Sequence, residues 1–167
     1  MTPEEVIRKF YADCDYPLGC MGAAEKWLRD DCPYIVNGDS NTKNKQEVLD
    51  NFDSYNFMYR RPYSKVTILE LVVSGNLVMT ERTEDLYHIN NPENRFLGRL
   101  MSVFRVDEND KIYLWKDYFD QGNEYGFGRA AYIPNVQEMN AYRAELGLPP
   151  REHTNTFDIV SAYNMNK

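Results

Sequence analysis

The sequence predicts an α+β domain: a curved, mixed or antiparallel β-sheet, with about three N-terminal helices packed on its concave face around a pocket. Two observations carry this. Apolar residues recur at three- and four-residue steps up to about Phe57, and from about residue 64 the period changes to two. The periodic runs after that point are separated by short turn signals, as a meander of hairpins requires.

Thr2-Pro3-Glu4-Glu5 is a helix start, with Thr2 as cap, Pro3 at the first helical position and Glu5 where a capping box places its acid. Val6, Ile7, Phe10, Tyr11 and Cys14 then form one apolar stripe that ends near Asp15-Tyr16-Pro17. A second short helix is expected over Gly22 to Arg29, with Trp27 and Leu28 inward. Cys32 to Asn37 reads as a short strand closed by the turn signal Asn37-Gly38-Asp39, and Lys45 to Phe57 returns to helical spacing through Val48, Leu49 and Phe52.

Four strands are expected next: Lys65–Val73, Leu77–His88, Gly98–Val106 and Ile112–Asp120. Ser74-Gly75-Asn76 and Asp107-Glu108-Asn109-Asp110 are hairpin connections, and Asn90-Asn91-Pro92-Glu93-Asn94 is a longer one. Beyond them Asn135-Val136-Gln137-Glu138 resembles a capping box, and a helix over about 135–146 stops at Gly147 with Pro149-Pro150.

Composition narrows the functions. The 167 residues are 43% hydrophobic and suit one core that needs no metal or disulfide staple. Cys14, Cys20 and Cys32 are odd in number and lack CxxC spacing, which points to a reducing compartment and a cytoplasmic protein. A formal charge of -7 argues against a nucleic-acid partner. The first twenty residues carry charges throughout, and Val66 to Met79 is broken by polar residues, so neither a signal peptide nor a membrane span is expected. His88 and His153 are the only histidines, and no GxGxxG or GxxxxGK[ST] occurs. Histidine triads, metal sites and nucleotide cofactors therefore have no support, and no cofactor is expected.

What remains is charge written into strands. Alternation puts Val78, Thr80, Arg82 and Glu84 on one face, and it groups Trp115, Asp117 and Phe119 on another. If both faces are concave, one guanidinium lies between two carboxyl groups in a largely apolar pocket. An arginine stays protonated and stabilises one carboxylate, while desolvation pushes the other carboxyl toward its neutral form. That yields one base and one acid. Alternation alone equally serves a solvent-facing Arg82–Glu84 ion pair and an Asp117 that begins a turn.

The run Leu77-Val78-Met79-Thr80-Glu81-Arg82-Thr83-Glu84-Asp85-Leu86, followed by Met101–Val106 and by Lys111–Asp120, resembles the limonene epoxide hydrolase family. That family lies within the NTF2-like, SnoaL-like superfamily, whose cone-shaped fold is shared with ketosteroid isomerase. The similarity is best over residues 77–120, and the ending Trp-x-Asp-Tyr-Phe-Asp is its most specific part. The resemblance implies an NTF2-like catalytic domain over 1–128. Residues 129–167 would be an extension with one helix, a lid or a dimer arm. It also implies a homodimer and a one-step, cofactor-independent hydrolysis, with Asp117 as base, Arg82 as bridging cation and Glu84 as acid. Glu84 stands where the family has Asp, and Asp85 is an alternative acid if a bulge shifts the strand by one residue. The family's water-holding Tyr-x-Asn pair is represented by Tyr34 and Asn37, which have opposite parity on a regular strand.

The expected lining is Trp27, Val78, Leu100, Phe104, Trp115 and Phe119, which suits a small apolar epoxide, terpenoid or polyketide. Three readings follow: an epoxide hydrolase making a vicinal diol, an isomerase or cyclase using the same acid–base pair without water, and a non-catalytic binding or assembly domain.

Overall fold

The computed structural model of the chain describes residues 1–15, 19–40, 42–59, 61, 63–88, 90–119, 136–150 and 152. Tyr16-Pro17, Asp120, Asn135 and His153, all singled out from the sequence, lie outside the described residues.

Helix α1 runs Pro3–Asp13 and starts on the expected capping box: Thr2 Oγ1 accepts from the Glu5 N–H at 3.2 Å, and Glu5 Oε2 accepts from the Thr2 N–H at 2.7 Å. That reciprocal bonding holds the Glu5 carboxyl below its usual range. The stripe Val6, Ile7, Phe10 and Tyr11 is buried. Helix α2, Cys20–Trp27, begins two residues earlier than the periodicity suggests, because Gly19 supplies a left-handed φ of 59° at its N-cap. Strand β1, Tyr34–Val36, and the short β2, Asp39–Ser40, form a hairpin whose two turn residues, Asn37 and Gly38, have φ of 51° and 90°. Helix α3, Lys45–Tyr59, is capped by Asn44, whose Oδ1 accepts from the Glu47 N–H at 2.9 Å.

Strands β3 (Tyr63–Ser74), β4 (Leu77–His88), β5 (Asn91–Val106) and β6 (Ile112–Tyr118) complete a six-stranded sheet of order β2-β1-β6-β5-β4-β3. β1 runs parallel to β6 and every other pairing is antiparallel, so the sheet is mixed. The sequence expectation placed Asn91 to Asn94 in a loop. Instead β5 begins at Asn91, opposite His88, and a register shift next to that pair absorbs the three residues before Arg95. Such a shift admits Pro92, which has no N–H to give a ladder. A second irregularity lies in β3, between Ile68 and Glu70, which leaves β4 in regular alternation. Val78, Thr80, Arg82, Glu84 and Leu86 are all buried on one face.

The core sits between that face and the helices. Phe10 and Tyr11 of α1 and Phe52 of α3 meet Phe104 of β5, Trp115 of β6 and Tyr34 of β1, with ring centroids 4.5–5.8 Å apart. Helix α4, Val136–Glu145, packs on α3 through a buried ion pair of Arg143 Nη1 with Asp53, while Arg143 Nε donates to the Pro149 carbonyl at 2.7 Å. The turn that follows it closes at Gly147, φ 72°, with the Leu148 N–H on the Arg143 carbonyl at 2.9 Å. Among the described residues no helix is long and apolar enough to cross a membrane.

Candidate active site

Arg82 projects from the middle of β4 into the core, and its side chain is 0% exposed. Its β4–β5 neighbour is Leu100, while Ser102 on β5 stands opposite Asp117 on β6. The pairing therefore brings Arg82, Ser102 and Asp117 to one face across three adjacent strands. The guanidinium grips the Asp117 carboxylate with two donors, Nη2 to Oδ2 at 2.9 Å and Nη1 to Oδ1 at 3.3 Å. Ser102 Oγ lies between them, accepting from Arg82 Nη1 and donating to Asp117 Oδ1.

Two further donors close on the same carboxylate. Trp115 Nε1 reaches Oδ1 at 2.7 Å, because residues two apart on β6 share a face. The Tyr34 hydroxyl reaches Oδ2 at 3.1 Å from β1, which pairs with β6 at this level. Glu84, two residues along β4, places Oε1 3.7 Å from Arg82 Nη2, which is ion-pair contact and longer than a hydrogen bond. Its side chain is 8% exposed and that of Asp117 is 3%. One buried cation thus lies between two buried carboxyl groups, and bulk water does not screen the trio.

Electrostatics fixes the cation. Burial alone would lower the Arg82 guanidinium, but the Asp117 charge, followed by Tyr11 and Glu84, holds it well above its ordinary value. The Tyr11 ring lies 5.1 Å from Arg82 Cζ, and its hydroxyl is 3.0 Å from Thr80 Oγ1. Burial first, and then the Asp117 charge, pushes the Tyr34 phenol well above its usual value, so it serves as a proton-bearing donor. Arg82 Nε has no hydrogen-bond partner among the described residues.

Among solved structures, the chain is similar to an LEH-like epoxide hydrolase of M. tuberculosis, at 25% identity over 71% of this chain and 82% of that one, with a TM-score of 0.56. It is also similar to a hypothetical protein of Catenulispora acidiphila with a ketosteroid isomerase-like fold, at 16% identity, 89% and 96% coverage and a TM-score of 0.57. A third similar structure is SalBIII, an epoxide hydrolase/cyclase-like enzyme of pyran ring formation in polyether salinomycin, at 12% identity, 71% and 91% coverage and a TM-score of 0.57. The chain has the NTF2-like fold. No family model matches it, and no curated protein matches it.

Within the NTF2-like sheet the residues singled out from the sequence fall into three groups. Arg82, Glu84, Asp117 and Tyr34 are brought together, and Val78, Leu100, Phe104 and Trp115 are buried on the same side. Asn37 lies at the end of β1, where its Oδ1 accepts from the Phe119 N–H at 3.0 Å and its own N–H bonds the Asp117 carbonyl at 2.8 Å. Its amide thus ties strand ends together, and Phe119 is half-buried just past β6. Trp27 packs at the end of α2 with its indole N–H held by Asp13 Oδ2 at 2.6 Å. Asp85 faces the other side of β4, where Arg95 Nε bonds Oδ1 at 2.7 Å.

Sequence reasoning missed Ser102, Tyr11 and Cys20, and it read Trp115 as lining without its N–H. Ser102 shares the parity of Leu100 and Phe104, so the signal was present in the strand. Nothing local marks Cys20, the first residue of α2, whose Sγ lies 3.3 Å from Glu84 Oε1. Among the described residues no group of three or more His, Cys, Asp or Glu side chains is placed to hold a metal ion.

Proposed function

We propose that the chain is a cofactor-independent epoxide hydrolase of the limonene epoxide hydrolase type, acting on a small apolar epoxide. The observation that carries this reading is a fully buried Arg82 whose Nη2 lies 2.9 Å from Asp117 Oδ2 and 3.7 Å from Glu84 Oε1. Asp117 Oδ1 takes three donors, from Ser102, Trp115 and Arg82, and Oδ2 takes two, from Arg82 and Tyr34, so Oδ2 is the oxygen with room to receive the proton of the attacking water. The water oxygen bonds to an epoxide carbon, that carbon's bond to the ring oxygen breaks, and Glu84 gives its proton to the departing oxygen. The product is a vicinal diol. Arg82 keeps its charge through the step, and the trio returns to its starting state when a proton passes from Asp117 back to Glu84 through solvent.

The test is turnover of cyclohexene oxide and limonene oxide in ¹⁸O water. Asp117→Asn is expected to lower kcat by roughly 10²–10⁴, the range for a positioned base. Undiminished turnover in that variant would falsify the reading. One observation favours a second reading, an isomerase or cyclase on a terpenoid or polyketide: the Asn37 amide is occupied at the Phe119 N–H and does not reach the Asp117 carboxylate. An isomeric product free of ¹⁸O supports that reading and excludes hydrolysis.

We also read residues 1–128 as the catalytic domain, residues 129–167 as an extension with one helix that serves as a lid or a dimer arm, and the assembly as a homodimer. The side of the sheet turned away from the site exposes Val72, Met79, Leu97, Met101 and Tyr118, an apolar face that a second copy would cover.

A further inference from the structure

A glutamate carries one more rotatable bond than an aspartate, so a carboxyl that must deliver a proton to one point needs something to hold its longer arm. In this chain the holding contacts converge on a single oxygen. Glu84 Oε1 lies 3.7 Å from Arg82 Nη2 on one side and 3.3 Å from Cys20 Sγ on the other. The two come from different parts of the fold: Arg82 from the same strand, and Cys20 from the first turn of α2, where Gly19 in its left-handed conformation sets the helix entry. Ser64 Oγ of β3, itself buried, is the other acceptor within reach of the same thiol, at 3.8 Å, and the closer, ionisable Glu84 oxygen is the better one.

We propose that Cys20 is a positioning residue for Glu84, its S–H donating to Oε1 so that this oxygen is pinned against Arg82 and the transferable proton is carried by Oε2. The role requires a thiol that keeps its hydrogen. The neighbouring Cys14 thiol first, and then burial, hold Cys20 well above the ordinary thiol value. Cys20 is thereby set apart from an activated nucleophile, which needs the opposite shift. The inference rests on the reading of Glu84 as the acid, and its two readouts separate the failure of one from the failure of the other.

The first readout needs no turnover. The S–H stretching band of the full chain that disappears in Cys20→Ala belongs to Cys20. In Glu84→Ala it should move to higher frequency, as the thiol is left with only its longer, 3.8 Å contact to the neutral Ser64 hydroxyl. An unmoved band overturns the tether, whatever the protein catalyses. The second uses hydrolysis of cyclohexene oxide. Cys20→Ala is expected to lose about tenfold or more in kcat with KM within about twofold, and Cys20→Ser, which keeps a donor, to recover most of that loss. In a Glu84→Asp background the shorter arm does not reach the sulfur, so Cys20→Ala should cost nothing further there. Equal losses in both backgrounds, or a serine variant as poor as the alanine one, overturn the proposal. If Asp117→Asn leaves turnover intact, the hydrolase reading falls, and the band shift alone decides the tether.

Discussion

Arg82 holds a full charge at 0% exposure, and it does so because Asp117, Ser102 and the Tyr11 ring surround it. Removing it leaves the Asp117 carboxylate buried and uncompensated. Arg82→Leu should therefore cost roughly 3–5 kcal/mol of stability, read from urea denaturation, besides abolishing turnover. A loss under about 1 kcal/mol would mean that the pair contributes little beyond packing. Trp115 offers a finer probe, since Trp115→Phe keeps an aromatic ring against Phe10, Tyr34 and Phe104 while deleting the N–H that reaches Asp117 Oδ1. A hydrogen bond to a charged group is worth about 1.5–3 kcal/mol, and the variant should lose stability of that order.

Helix α4 is joined to α3 at Asp53, one residue from Phe52, whose ring touches both Tyr34 and Trp115. Burial raises the Asp53 carboxyl to about 6, while the charge and hydrogen bond of Arg143 pull it down. The sign follows from comparison with an ordinary value of 3.8. Between about pH 4 and pH 6 the folded chain holds a proton that the unfolded chain has released, so this group's contribution to stability falls as pH rises through that window and is level above it. Carbon-13 titration of the Asp53 carboxyl should show its midpoint near 6, moving upward in Arg143→Met as the charge that lowers it is lost. A midpoint at the ordinary aspartate value would show that the pair is open to water. At the other end of the chain, Thr2→Ala removes one half of the capping box of α1 and should cost about 1 kcal/mol in thermal unfolding.

For the whole molecule, the two faces of the sheet divide the work. One carries Arg82, Glu84, Ser102 and Asp117 under the helices, and the other exposes Leu97 at 66%, Val72 at 65% and Met101 at 49%. Ion pairs of Arg95 with Asp85 and Arg99 with Glu81 are set among these apolar side chains. We expect sedimentation velocity to give a dimer and Met101→Glu to give a monomer, since a charge at the middle of the face would be buried without a partner. A wild-type monomer at micromolar concentration removes the dimer from the account.

The sequence by itself determined most of the elements, though not the short β2 or the first part of β5, Asn91 to Leu97, which only pairing with a neighbouring strand defines. Capping residues, the switch of period near residue 64 and the Gly75-Asn76 and Asp107–Asp110 turns are local signals, and each acts on the backbone within a few residues of where it is written. Alternation also placed Arg82 and Glu84 on one face, because side-chain parity along a regular strand is a local property. It left open whether that face met water or the core. The tertiary structure decided this by laying α1 and α3 over the strands and by pairing β6 with β5 and β1, which set Asp117 against Arg82 and Tyr34. It also decided that Asn37 serves the backbone of Phe119, that Ser102 completes the carboxylate's shell, and that a thiol from α2 meets Glu84. Contacts between residues 64 or 83 positions apart depend on how whole elements pack, and no neighbouring residue in the chain encodes them.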